Sequence, residues 1–287
     1  MTDLDPRAAH LHHLLLVDAD VTHDDVEALV RSHYPQSGWV AADTMALEVD
    51  VELTGPWAVG TAVRRQMDAP AWLEQAYLAV CPQERSGELP EALKGLDPIM
   101  DAYPFATPQG RELRTLTFLH AAARRLGGAV HLAGTAVLLQ PDPESAVDLT
   151  VYAPAYAEVE PARAAIGRDD VVLDGRTRRS WSLSMPAAAG RIRVVSERHP
   201  MPPLALAGLP WVAPGARGYE VRWIEPDTYS TRGGRLSISQ RRVRSGVTSE
   251  IERIAGAIAE LTGGVAVDDD GFIVALAGGG DGATIGG

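Results

Sequence analysis

One cysteine, Cys81, and one lysine, Lys94, stand in a chain of 287 residues. A single thiol excludes an intrachain disulfide and any thiolate cage around a metal. A single lysine confines Schiff-base or general-base lysine chemistry to Lys94, which precedes Gly95 where a short surface helix would stop. No apolar run approaches the ~20 residues that a membrane-spanning helix needs. The acidic start also lacks the basic-then-apolar layout of a secretory signal, so a cytoplasmic protein is expected. Positive charge is scarce, with 26 basic residues against 38 acidic ones and a net charge of -12. That balance disfavours broad attraction to nucleic acid or anionic lipid, and neither is an expected partner. With 46% hydrophobic residues the chain still suffices for one large folded domain or two ordinary ones.

What is present reads as one order of elements stated twice. Leu14-Leu-Leu-Val17 has the unbroken apolar character of a buried strand, and Thr22-His-Asp-Asp25 opens a helix with apolar positions at Val26, Leu29 and Val30. About 134 positions on, Leu149-Thr-Val151 and a helical stripe at Val159, Ala162 and Ile166 repeat that pair. Val49, Val51 and Leu53 alternate with acidic residues, and Trp181, Leu183 and Met185 alternate with serine about 132 positions later. A turn follows each (Gly55-Pro56; residues 186–190), then a second strand ending near Val63 or Val195. Thr107-Pro108 predicts the start of a long helix through Leu113, Leu116, Leu119, Ala123 and Leu126 to Gly127-Gly128. Ser249 with Glu252, a capping box, predicts its counterpart through Ile251, Ile254, Ile258 and Leu261 to Gly263-Gly264, about 136 positions on. The expectation is an α+β fold, a tandem duplication of a split βαββαβ (ferredoxin-like) unit, with mostly antiparallel sheets and helices on one face. Its parts would be residues 10–145, residues 146–277 and a disordered glycine-rich tail at 278–287. Residues 82–107 and 200–214 read as long loops.

Several motifs invite chemistry. The strand ending in Asp18-Ala-Asp20-Val-Thr22 resembles the first motif of the haloacid-dehalogenase phosphatases. That resemblance implies Asp18 as nucleophile, Asp20 as proton handler and a magnesium ion between them. It also implies a lysine, a later acidic pair and a parallel sheet; only Lys94 and Gly280-Asp281-Gly282 are available for the first two. His10, His12 and His13 cluster, but His23, His33, His120, His131 and His199 are scattered without a metal-ligand spacing, so no metal or cofactor is expected. Residues 232–244 carry Arg232, Arg235, Arg241, Arg242 and Arg244 without an acid, the most basic stretch of the chain. Guanidinium forks bind phosphate or carboxylate, and a helix start near Ser249 could add backbone donors. The alternation of Leu236 and Ile238 with serine reads as an amphipathic strand carrying that patch. Arg176 and Arg179 flank a hairpin beside Asp174-Gly175, and Asp268-Asp-Asp-Gly271 is a hairpin turn without the ligand spacing of a calcium loop. No phosphate-cradling glycine motif or nucleophile elbow occurs, and Cys81 lacks a basic neighbour in sequence.

The expected function is therefore a non-catalytic binding or interaction protein. Its ligand or partner, a protein or a small anion, would occupy the groove between two similar halves, with Arg241, Arg242 and Arg244 as the contact residues. The alternative is a small-molecule enzyme with its site between the halves, including a magnesium-dependent phosphatase that uses Asp18 and Asp20.

Overall fold

The computed structural model describes residues 1–143, 147–199, 202–212, 215–225 and 238–276. The chain divides into two compact units, Met1–Ser145 and Ala146–Gly287. Both mix helices with one antiparallel sheet. No described helix is long and apolar enough to cross a membrane.

In the first unit α1 (Pro6–Leu11) leads into β1 (His13–Val17), buried at all five positions. There follow α2 (His23–His33), β2 (Gly38–Ala41), β3 (Thr44–Glu48), β4 (Val51–Ala58), α3 (Thr61–Met67), β5 (Gln75–Val80), α4 (Pro98–Asp101), α5 (Gly110–Leu126), β6 (Ala129–His131) and β7 (Leu138–Leu139). The sheet order is β2-β3-β4-β5-β1-β6-β7. A strand buried at every position must be covered on both faces, and it is. Leu14 and Leu16 pack with Val63 and Met67 of α3 and Ala9 of α1, while α5 packs against the same strand. Helices therefore lie on both faces here, not on one. Three further expectations change. Residues 61–67 form a helix rather than a strand, and β4 passes straight through Gly55-Pro56, with a bulge between Thr54 and Trp57 in place of a turn. Thr107 does not cap α5, because its hydroxyl donates to the Ser86 carbonyl (2.9 Å) and α5 starts after Gln109.

The second unit runs β8 (Leu149–Ala153), α6 (Val159–Ile166), β9 (Val172–Arg176), β10 (Trp181–Pro186), β11 (Arg191–His199), β12 (Ala216–Ile224), α7 (Ile238–Thr262) and β13 (Val265–Asp268), with sheet order β13-β8-β12-β11-β10-β9. α6 and α7 bury Val159, Ala162, Ile166, Val247, Ile251, Ile254 and Ile258 against Val151, Leu183, Val194, Tyr219 and Val221. α7 begins well before Ser249. The stripe Val243, Val247, Ile251, Ile254, Ile258 keeps one helical face apolar, so Ser249 lies mid-helix and its hydroxyl donates back to the Ser245 carbonyl (3.2 Å). Ile238 and Ser239 are thus helical, not strand. Asp174 and Gly175 lie within β9, and the turn is residues 177–180. The tail at 278–287, Arg232 and Arg235 lie outside the described residues.

Read from β6 and from β13, the two sheets share an order: β6-β1-β5-β4-β3-β2 corresponds to β13-β8-β12-β11-β10-β9. The glycine pairs agree in detail. Gly127 and Gly263 end α5 and α7 with φ of +64° and +65°, a left-handed conformation that side chains resist. Gly128 and Gly264 return their N–H groups to the carbonyls of Ala123 and Ala259 (2.7 and 3.0 Å). A Cβ on either would strike the backbone of the first strand, at the Leu16 or the Tyr152 carbonyl.

Asp148, at the entry to β8, accepts the Trp223 N–H (2.8 Å). Burial pushes its carboxyl up to about 6, against the Trp223 N–H, with Asp269 adding to the rise. Between an unfolded value near 3.8 and about 6 the folded chain holds the extra proton, so stability falls as pH rises through that window. Asp148→Asn keeps the acceptor and loses the charge. It is expected to raise stability by about 2 kcal/mol near pH 7 and to gain nothing near pH 4, as urea unfolding at the two pH values would show.

Candidate functional site

Register builds a basic cavity in the second unit. On the helix-covered face of the second sheet, Trp181, Ser196 and Tyr219 stand side by side on β10, β11 and β12. One pleat further on, that face carries Arg198 opposite Arg217, and the turn before Trp181 brings in Arg179. The three arginines line a cavity of about 540 Å³ with Ser180, Glu197, Gly215 and Ala216, which sets three guanidinium groups against one carboxylate. The floor is held from below. Trp181 donates its indole N–H to the Ala157 carbonyl (2.9 Å), and the Tyr219 hydroxyl accepts the Ala157 N–H (2.6 Å) and donates to the Ala155 carbonyl (3.0 Å). These bonds fix the β8–α6 loop and with it Tyr156, whose ring lies 4.7 Å under the Arg217 guanidinium. Arg217 also donates to the Arg179 carbonyl (2.7 Å). Arg198 lies against Gly215, where a side chain would meet its guanidinium at 3.0 Å.

Like charges directly opposite on neighbouring strands repel. At the matching register of the first sheet the fold makes no such demand: Val17 pairs with Gln75 and Gln75 with Ala58, where the second sheet has Ala153, Arg217 and Arg198. Gln75 instead donates its amide to the carbonyls at the start of the β1–α2 turn, closest to Ala19 (2.8 Å).

The first unit contains a different polar cluster. Glu112 of α5, fully buried, accepts from Arg85 Nε and Nη2 (2.8 and 2.6 Å), from His13 Nε2 (3.1 Å) and from the Glu84 N–H (2.9 Å). His13 Nδ1 accepts the Ala133 N–H (3.0 Å), which leaves the ring hydrogen on Nε2. The Arg85 guanidinium sits 3.9 Å over the Tyr103 ring, and Tyr103 donates to the Ala133 carbonyl (2.9 Å), closing the circuit. Cys81 stands beside it with its thiol pushed up to about 11, by burial first and then by the Glu112 carboxylate. Both His13 nitrogens are engaged within the cluster, which ties the entry of β1, the Arg85 segment and α5 together.

The residues singled out in sequence do not assemble. Arg241 and Arg242 are exposed near the start of α7, while Arg244 pairs with Glu225 (2.6 Å) and lies over Trp223. Asp18 accepts the Asp20 N–H (3.2 Å) in the turn after β1, and that strand is antiparallel to both neighbours, unlike a phosphatase sheet. Thr22 and Asp25 form a reciprocal cap on α2. His10 is on α1, His12 ends it and His13 enters β1. Among the described residues no three His, Cys, Asp or Glu side chains are grouped to hold a metal. In sequence Arg179 reads only as part of a hairpin and Arg198 and Arg217 carry no signal, because about 19 residues separate each from the next and only β-register makes them neighbours. No protein-family model matches the chain, and neither the curated proteins nor the solved structures contain a significant match.

Proposed function

We propose that the chain is a non-catalytic binding protein made of two copies of a ferredoxin-like unit, the second of which takes a small polyanion. The shared strand order and the glycine pairs pressed on corresponding carbonyls support the duplication. Within each sheet four strands, β6-β1-β5-β4 or β13-β8-β12-β11, keep the order of a split βαββαβ unit; two further strands extend the β4 or β11 edge of each, and β7 extends the other edge of the first. The ligand reading rests on one observation. Arg198 and Arg217 oppose each other across two strands, at a register where the first sheet folds with Gln75 and Ala58. A phosphate or carboxylate bound beside them accepts charge-assisted hydrogen bonds from guanidinium groups on both strands. Neighbouring strands lie about 4.8 Å apart, so a ligand with two anionic groups engages more than one arginine column. Arg179, Arg198 and Arg217 thus take the role expected in sequence for Arg241, Arg242 and Arg244.

Isothermal titration with inorganic pyrophosphate at low salt tests the proposal. Arg198→Ala and Arg217→Ala are each expected to weaken binding roughly 10-fold or more, while Arg241→Ala with Arg242→Ala leaves it unchanged. Pyrophosphate binding that ignores Arg198 and Arg217, or no binding to the unaltered chain, overturns the reading.

A further inference from the structure

We infer that the loop between β5 and α5 is a docking surface for a basic amphipathic segment of another protein. The loop is closed at its neck by backbone hydrogen bonds from Gln109 to Glu84, Ser86 to Thr107 and Leu89 to Pro104 (2.7, 3.1 and 2.9 Å). Arg85 ties its base to the buried Glu112. At its tip the Asp101 carboxylate holds the Gly95 N–H (2.9 Å) and Asp97 caps α4. Within this ordered frame the apolar residues divide. Leu89, Ile99 and Tyr103 are buried, whereas Leu93, Leu96 and Phe105 are 49%, 70% and 82% exposed. An apolar surface that is already ordered costs little further entropy when a partner covers it.

The charge around the surface selects the partner. Glu88, Glu91, Asp97 and Asp101 lie on the same loop, and both of its cations are engaged, Arg85 by the buried Glu112 (2.6 Å) and Lys94 by Glu91 (2.5 Å). The chain as a whole is at net charge -12. Apolar side chains set among carboxylates match a segment that presents leucine-like residues on one side and lysine or arginine beside them. A second copy of this chain would bring the same carboxylates to the contact, and an anionic membrane would be repelled.

A labelled fourteen-residue peptide of leucine and lysine, spaced as an amphipathic helix, and a twin with glutamate for lysine, test the inference by fluorescence anisotropy on the full chain. The lysine peptide is expected to bind at least roughly 10-fold tighter than its twin. Leu93→Ser, Leu96→Ser and Phe105→Ser together are expected to weaken it at least roughly 10-fold without moving the melting temperature, because those side chains are exposed. Glu88→Gln with Glu91→Gln should flatten its salt dependence. Equal binding of the lysine peptide by the triple-serine variant overturns the inference, since attraction would then reside in net charge alone. So does sedimentation showing self-association that the triple variant abolishes, which would assign the surface to a second copy.

Discussion

Replacing Glu112 with leucine is expected to lower the stability of the first unit by about 3–5 kcal/mol, because it strands the buried partners of an ion pair. The arginine it pairs with is one-fifth exposed and His13 is 2% exposed, so neither can turn to water without moving the loop or β1. Domains are stable by only ~5–15 kcal/mol, so this unit should melt separately and earlier. Urea unfolding followed by the fluorescence of Trp39, Trp57 and Trp72 reads it directly. Adding Arg85→Met should return part of the loss, because removing both members of a buried pair costs less than removing one. The same network sets an acid limit. Burial alone would push the Glu112 carboxyl up, but hydrogen bonds from His13 and Arg85 outweigh it and hold the group below its usual value of 4.5. Its contribution is complete above that value and is lost as pH falls through the depressed one. In Glu112→Leu this part of the acid-induced loss should vanish. A loss under about 1 kcal/mol would show that the cluster is dispensable and that other contacts order the loop.

Such a cluster is invisible in one dimension. His13, Arg85 and Glu112 belong to a strand entry, a loop and a helix, and each type at each place has an ordinary explanation. The elements themselves were more legible. The unbroken run of β1, the Thr22 cap and the stripe of α6 each carry their signal within a few residues, and all three form as read. Errors arose where a local rule met a tertiary demand. Thr107-Pro108 has the form of a helix start, yet the loop neck claims the threonine. Ile238 and Ser239 read as the end of an alternating strand, but the apolar spacing from Val243 onward suits a helix that packs on β8 and β12; Leu236 lies outside the described residues. The β2–β3 hairpin was missed because Gly38, Trp39 and Val40 alternate with nothing, and the strand is an exposed edge.

Trp181→Ala and Tyr219→Phe separate the frame of the proposed anion site from its chemistry. Trp181, 2% exposed, fills the space between β10 and the β8–α6 loop, with its ring 5.8 Å from that of Tyr219. Deleting it removes a large buried surface, leaves a cavity and frees the Ala157 carbonyl, at an expected cost of about 3–5 kcal/mol to the second unit. Pyrophosphate binding should fall with it, for want of a folded site. Tyr219→Phe keeps the ring and removes one hydroxyl, leaving the Ala157 N–H and the Ala155 carbonyl without partners, at about 1–3 kcal/mol. That loop carries Tyr156 beneath Arg217, so the variant should loosen the guanidinium's seat while the sheet stays folded. Its pyrophosphate affinity is expected to drop more steeply than its urea midpoint, whereas Trp181→Ala moves both together. Were Tyr219→Phe to bind pyrophosphate as the unaltered chain does, Arg217 would owe nothing to the loop, and the site would be a cluster of charges rather than a shaped pocket.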